Sequence, residues 1–148
     1  MLSLVIPVYR NEASLPELLH ALRGLHQALK GGLEVVFVVD GSPDRCHELL
    51  RERLPATGLT ATLVLLTRNF GSFSAVRMGL AEGRGDSFAV MAADLQEPPA
   101  LVLRMQDILA RDGADVVVAE RTLRHDPLLQ RWQARVFWAL YRRYVVPE

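Results

Sequence analysis

Near-continuous apolar runs alternate along this chain with segments whose apolar residues recur every three or four positions. Leu2–Val8 and Leu33–Val39 are runs of the first kind, the pattern of parallel strands covered on both faces. Between them Leu15, Leu18, Leu19, Leu22, Leu25 and Leu29 fall at helical spacing. Ser14 and Glu17 have the spacing of a capping box at the start of that helix, and Gly31-Gly32 ends it. Asp40-Gly41-Ser42-Pro43 reads as a turn, with Ser42 capping a helix over residues 44–53. A third strand is predicted over residues 60–67, a loop over 68–72 and a helix over 73–82. A fourth strand over 87–91, a helix over 98–111 and a fifth strand over 115–119 complete the alternation.

Strands alternating with helices over short connections predict an α/β fold: a mostly parallel sheet with helices on both faces. Ligands of such sheets bind beyond the carboxyl ends of the strands, where the strand order reverses. With the order 3-2-1-4, the reversal falls between the first and fourth strands, and the loops at 7–12, 40–44 and 93–97 surround one crevice. The last segment differs. Over residues 126–146, Leu129, Trp132, Val136, Phe137, Leu140 and Tyr144 share a helical face, with Arg131, Arg135 and Arg142 near the opposite one. Such a helix can pack on a core or lie at a membrane interface. The predicted organisation is a core over residues 1–124 followed by an amphipathic helix over 125–148.

Composition narrows the class. The 148 residues are half apolar and 23% charged, as in an ordinary globular domain. Lys plus Arg equals Asp plus Glu at 17 each, so no charge excess points to nucleic acid, and none is expected as a partner. Cys46 is the single cysteine, so no internal disulfide or zinc cluster is predicted; it reads as a buried small side chain in a reducing compartment. The opening Met1–Val8 run lacks the basic flank and cleavage site of a signal peptide, and no apolar stretch approaches the roughly 18–20 residues of a membrane span. A soluble or peripheral protein is expected. No G-x-G-x-x-G or G-x-x-x-x-G-K-[ST] sequence follows a strand, and the histidines lack metal-ligand spacing.

Candidate chemistry gathers at the predicted strand ends. Met91-Ala92-Ala93-Asp94-Leu95-Gln96-Glu97-Pro98-Pro99 places a carboxylate and an amide two residues apart, so on an extended segment Asp94 and Gln96 point the same way. Two adjacent oxygen ligands suit a hard divalent cation carrying a substrate phosphate; the same residues also suit a polar strand-to-helix turn. Asp40 before Gly41 can accept a hydrogen bond from a base or ribose, or close the strand in an Asx turn. In Pro7-Val8-Tyr9-Arg10-Asn11-Glu12, Tyr9 can pack on a planar base while Asn11 or Glu12 bonds to it; rim packing is the plainer role. Arg68-Asn69-Phe70-Gly71 offers a guanidinium for a diphosphate, or a surface arginine.

Four pieces in order, Val5-Ile6-Pro7-Val8-Tyr9, Val38-Val39-Asp40-Gly41-Ser42-Pro43-Asp44, Arg68-Asn69-Phe70-Gly71 and Ala93-Asp94-Leu95-Gln96-Glu97-Pro98-Pro99, resemble the family 2 inverting glycosyltransferases of GT-A fold, and among them the polyprenyl- or dolichyl-phosphate sugar transferases. The resemblance implies a nucleotide site at Pro7, Tyr9, Asn11 and Asp40. It also implies Mg²⁺ or Mn²⁺ held by Asp94 and Gln96 against a nucleotide-sugar diphosphate. Ala92 stands where the family has the first acid of Asp-x-Asp, Asn11 where many members have glutamate, and Val39 where an acid is common.

By the same resemblance a hexose-type sugar passes, with inversion, from a UDP- or GDP-linked donor to a lipid phosphate, the reaction of a hexosyltransferase. The protein would sit in the cytoplasm, peripheral at the inner face of the membrane, with residues 126–146 as a juxtamembrane helix and homo-oligomers allowed. The family's catalytic aspartate base is expected beyond Glu148, so these residues are expected to form the donor-binding part, inactive alone, with no catalytic residue assigned. Two rivals remain at this point. A nucleotidyltransferase would want a glycine- and lysine-rich loop after the first strand. A non-catalytic nucleotide-sugar-binding or oligomerisation module would tolerate Ala92.

Overall fold

The structure, a computed structural model, describes residues 1–120. Its elements in order are β1 (Leu2–Val8), α1 (Leu15–Ala28), β2 (Leu33–Val39), α2 (Cys46–Arg53), β3 (Thr60–Leu65), α3 (Ser72–Glu82), β4 (Ser87–Val90) and α4 (Ala100–Asp112). The four strands form one parallel sheet, as expected, in the order β3-β2-β1-β4. β1 lies between β2 and β4, with Val5 opposite both Val36 and Val90. The predicted α/β fold is therefore the one observed, and its strand order is the one supposed in placing the crevice.

Strand alternation decides which helix covers which face. Leu4, Ile6 and Val8 of β1, with Val35, Phe37 and Val39 of β2, join the leucines of α1, Leu50 of α2 and Val102 of α4 in one buried cluster. Val5, Val36 and Val38 point the other way and pack with Ala75 of α3. α3 lies so close to β1 that a Cβ on Gly79 would stand 2.2 Å from Val5 Cγ1. The near-continuous apolar runs of β1 and β2 follow from this two-sided cover.

At the amino ends of the strands a buried carboxylate fastens the connection between α3 and β4. Glu34 is fully buried; it accepts hydrogen bonds from Ser3 Oγ (2.6 Å), the Arg84 backbone N–H (2.8 Å) and Arg84 Nε (3.0 Å). Burial is the largest influence on its pKa and pushes it up, but the bonds from Ser3 and Arg84, with the Arg84 charge, together bring it below the ordinary value.

Three local expectations are corrected. The fifth strand does not form: residues 115–119 are irregular, and Val116 and Val118 are 75% and 80% exposed. An apolar run becomes a strand only against a partner's hydrogen-bonding edge, and among the described residues none pairs with it. Ser14 makes no capping bond; its hydroxyl donates to the carbonyls of Asn11 and Ala93. Ser42 does not cap α2 either, since Asp44 Oδ1 takes the Cys46 N–H at the start of that helix. The predicted helix over 126–146, and with it the boundary at residue 124/125, lies outside the described residues. No helix among the described residues is long and apolar enough to cross a membrane.

Candidate functional site

Loops leaving the carboxyl ends of all four strands meet around a cavity of about 330 Å³. That volume lies at the lower end of small-molecule sites. Its walls are Pro7, Val8, Tyr9 and Asn11 after β1, Asp40 after β2, Asn69 and Ser72 around the start of α3, and Ala92, Ala93 and Asp94 after β4. The crevice at the reversal between β1 and β4 is thus present. Of the residues singled out in the sequence, Pro7, Tyr9, Asn11, Asp40 and Asp94 share this cavity; Gln96 is not among its lining residues.

Asp40 is 3% exposed, and its carboxylate is already engaged. Oδ1 accepts the Phe70 N–H at 2.8 Å and Oδ2 the Gly71 N–H at 2.9 Å. A carboxylate has about four lone-pair sites, so each oxygen keeps one for a ligand. The bonds hold the 68–72 loop against the end of β2. Gly41 makes the approach possible: its φ is +56°, and a Cβ there would lie 2.2 Å from the Arg68 carbonyl carbon. The Arg68 guanidinium, read from the sequence as either a diphosphate anchor or a surface arginine, lies 4.7 Å from the centre of the Phe70 ring, and Arg68 is not among the residues lining the cavity.

The β1 loop is held from outside the cavity. Arg10 adopts φ +57°, and its guanidinium lies 5.4 Å from the centre of the exposed Tyr9 ring. Cys46 is buried; burial, then its hydrogen bond with Asp44, pushes its thiol up to about 11, so it stays protonated at neutral pH and is no nucleophile. Asp44 is held below the ordinary carboxylate value: burial is the largest influence and raises it, but hydrogen bonds from Cys46, Ser42 and the Glu12 N–H outweigh it.

The Asp94 region departs from the extended geometry on which its pairing with Gln96 was argued. Leu95 has φ +57° and packs on the core, and the Gln96 N–H donates to Asp94 Oδ1 at 3.2 Å. The segment is an Asx turn, so strand alternation does not apply to it. Asp94 is exposed at the cavity wall, with Oδ2 outside that bond. Among the described residues no three His, Cys, Asp or Glu side chains converge as a ready-made metal cage. A lone exposed carboxylate does fit a magnesium-type ion, which takes one or two carboxylates and completes its shell from water and substrate phosphate.

Asn69 and Ser72 were not singled out as site residues, although both follow β3 directly. For Asn69 the signal available was its place in the Arg68-Asn69-Phe70-Gly71 piece; for Ser72 it was position alone, at the same sheet edge as the other loops.

The profile of glycosyl transferase family 2 matches residues 3–146. The chain belongs to that family. Over 136 residues it is 40% identical to the undecaprenyl-phosphate 4-deoxy-4-formamido-L-arabinose transferase of Pseudomonas paraeruginosa, covering 92% of this chain and 40% of that one. The transferase of the same name from Edwardsiella ictaluri is 38% identical over 141 residues, covering 95% and 43%. The family 2 chain thus spans about two fifths of the length of these curated relatives. Among solved structures, S. aureus TarS 1–349 superposes with a TM-score of 0.66 over 85% of this chain and 38% of that one, at 20% identity. TarS 1–349 has also been solved with UDP-GlcNAc and with UDP. At this identity the likeness speaks to the fold alone, which is the GT-A type: a Rossmann-like parallel sheet between helices.

Proposed function

We propose that this chain is the donor-binding part of a transferase that moves a sugar, with inversion, from a nucleotide-sugar to a polyprenyl-phosphate-type lipid. The observation that carries the reading is the convergence of Tyr9, Asn11, Asp40 and Asp94 on one cavity at the carboxyl edge of a GT-A sheet. The names of the undecaprenyl-phosphate transferases support the lipid-phosphate acceptor and, in place of the hexose expected from the sequence, a pentose-type sugar. The UDP complexes of TarS are an instance of a uridine nucleotide bound on this fold.

In this reading Tyr9 offers a ring face to the base, and Asn11 an amide beside it. Asp40 holds the 68–72 loop and keeps lone pairs for a ribose or base N–H. Asp94, with Gln96 next to it, is the protein's ligand for Mg²⁺ or Mn²⁺. When bound, such an ion offsets charge developing on the departing diphosphate. An acceptor phosphate is already anionic, so it needs less help from a base than an alcohol does. Of the two carboxylates that line the cavity among the described residues, Asp40 holds the neighbouring loop and Asp94 is assigned to the metal, which leaves neither for the acceptor. Residues 1–148 alone are therefore proposed to bind donor with little turnover. We place the protein at the cytoplasmic face of the membrane, with residues 126–146 as the segment that meets it.

Calorimetric titration with UDP- and GDP-sugars, with and without Mn²⁺, tests the reading. One nucleotide class should bind with unit stoichiometry, and more tightly with metal. No binding of any nucleotide-sugar under either condition sinks it.

A further inference from the structure

Four successive backbone N–H groups on the loop after β1 are each taken by a side chain: Tyr9 by Asn11 Oδ1 (3.0 Å), Arg10 by Ser42 Oγ (2.7 Å), Asn11 by Cys46 Sγ (3.3 Å) and Glu12 by Asp44 Oδ2 (3.2 Å). Three of those acceptors come from residues 42–46, more than thirty positions away in the sequence. The link is returned from the other side, since Glu12 Oε2 accepts the Arg45 N–H at 3.0 Å. Asp44 is the hub. Its Oδ1 receives the Ser42 hydroxyl (2.6 Å) and the Cys46 N–H (3.3 Å), which orients both neighbours as acceptors for the β1 loop.

The clasp holds a conformation the loop would not keep alone. Arg10 at φ +57° is left-handed, a region strained for a residue with a Cβ. On either side of it stand Tyr9 and Asn11, which line the cavity; Ser42, Asp44 and Glu12 do not line it. From this geometry we infer that Asp44 is a positioning residue for the nucleotide. It touches no ligand, but through Ser42 and Glu12 it sets the register in which Tyr9 and Asn11 face the cavity, and so sets selectivity for the base. The inference rests on the donor-binding reading above.

The arrangement makes the test specific. In Asp44→Asn the amide oxygen can keep the Ser42 and Cys46 bonds, but its NH₂ then faces the Glu12 N–H, donor against donor. Ser42→Ala removes the acceptor of the Arg10 N–H, whereas Ser42→Thr keeps a hydroxyl. The measurements are Kd and stoichiometry for UDP and for GDP with the full 148-residue chain, with and without Mn²⁺, and amide hydrogen exchange at residues 9–12.

Asp44→Asn and Ser42→Ala should each bind the preferred nucleotide about tenfold more weakly and narrow the UDP:GDP preference. Stoichiometry should stay at one, and the ratio of Kd with and without Mn²⁺ should not move, because Asp94 lies on another loop. Ser42→Thr should restore the wild-type Kd. A variant that merely lost stability would lower the stoichiometry and leave Kd alone. Exchange at residues 9–12 should quicken about tenfold in Asp44→Asn. Wild-type binding with unchanged Kd and preference in both Asp44→Asn and Ser42→Ala overturns the role given to Asp44. A wild-type chain that binds neither nucleotide overturns the donor-binding reading instead.

Discussion

Replacing Asp40 by asparagine isolates one electrostatic link between two loops of the cavity. The substitution preserves shape and burial, yet it turns one of two acceptor oxygens into a donor. With the asparagine oxygen facing Phe70 N–H, that bond survives without its charge. The new NH₂ then opposes the Gly71 N–H, which keeps only its second partner, Asn69 Oδ1 at 3.0 Å. A hydrogen bond to a charged group contributes about 1.5–3 kcal/mol and a neutral one about 1 kcal/mol. The first change therefore costs about 1 kcal/mol and the second, softened by Asn69, about as much again. A chain of this size loses roughly 3 °C of Tm per kcal/mol, so thermal unfolding should shift down by about 4–8 °C. Native-state exchange at the Phe70 and Gly71 amides should quicken by more than the global loss explains, and nucleotide affinity should fall as the 68–72 wall of the cavity loosens. A variant with Tm within about 1 °C of wild type and unchanged exchange at those two amides would refute the claim that Asp40 holds this loop.

Gly79→Ala drives a methyl to 2.2 Å from the buried Val5 Cγ1, and overpacking of that kind should cost about 1–3 kcal/mol in urea unfolding with an unchanged m-value. Gly41→Ala meets backbone at 2.2 Å and must hold φ +56°, so it should disturb the cavity more than Gly79→Ala does, read as the larger loss of nucleotide affinity. Glu34 has a lowered pKa in the folded chain, so the stability it contributes is fully present above its ordinary 4.5 and is lost as pH falls through the lower folded value. Glu34→Gln should accordingly flatten the fall of urea midpoint below about pH 4.5; an unaltered acid limb would contradict the assignment. Asp94→Asn should abolish the gain in nucleotide affinity from Mn²⁺ while leaving metal-free binding and Tm nearly unchanged, as calorimetry and thermal unfolding will show.

Residue order alone made most of the fold legible. The apolar runs of β1 and β2 and the leucine spacing of α1 are local periodicities, and each reports how many faces of its element are covered. The parallel sheet followed, and, with its order supposed to be 3-2-1-4, so did the crevice at the strand ends and the placing of Pro7, Tyr9, Asn11, Asp40 and Asp94 around it. Spacing failed where a group's partner is chosen from a distance. Ser14 has the sequence of a helix cap, but its hydroxyl bonds the carbonyl of Ala93, 79 positions away. Asp40 was legible as a strand-end acid but not as the anchor of amides 30 and 31 residues downstream. Residues 115–119 look like a strand and lack a neighbouring edge among the described residues, and one left-handed residue, Leu95, turned the Asp94 segment out of strand alternation. Hydrophobic burial is nearly directionless and leaves its mark on every few residues of the chain. Hydrogen bonds are directional and saturable, so their pairing is settled only once distant segments have been brought together.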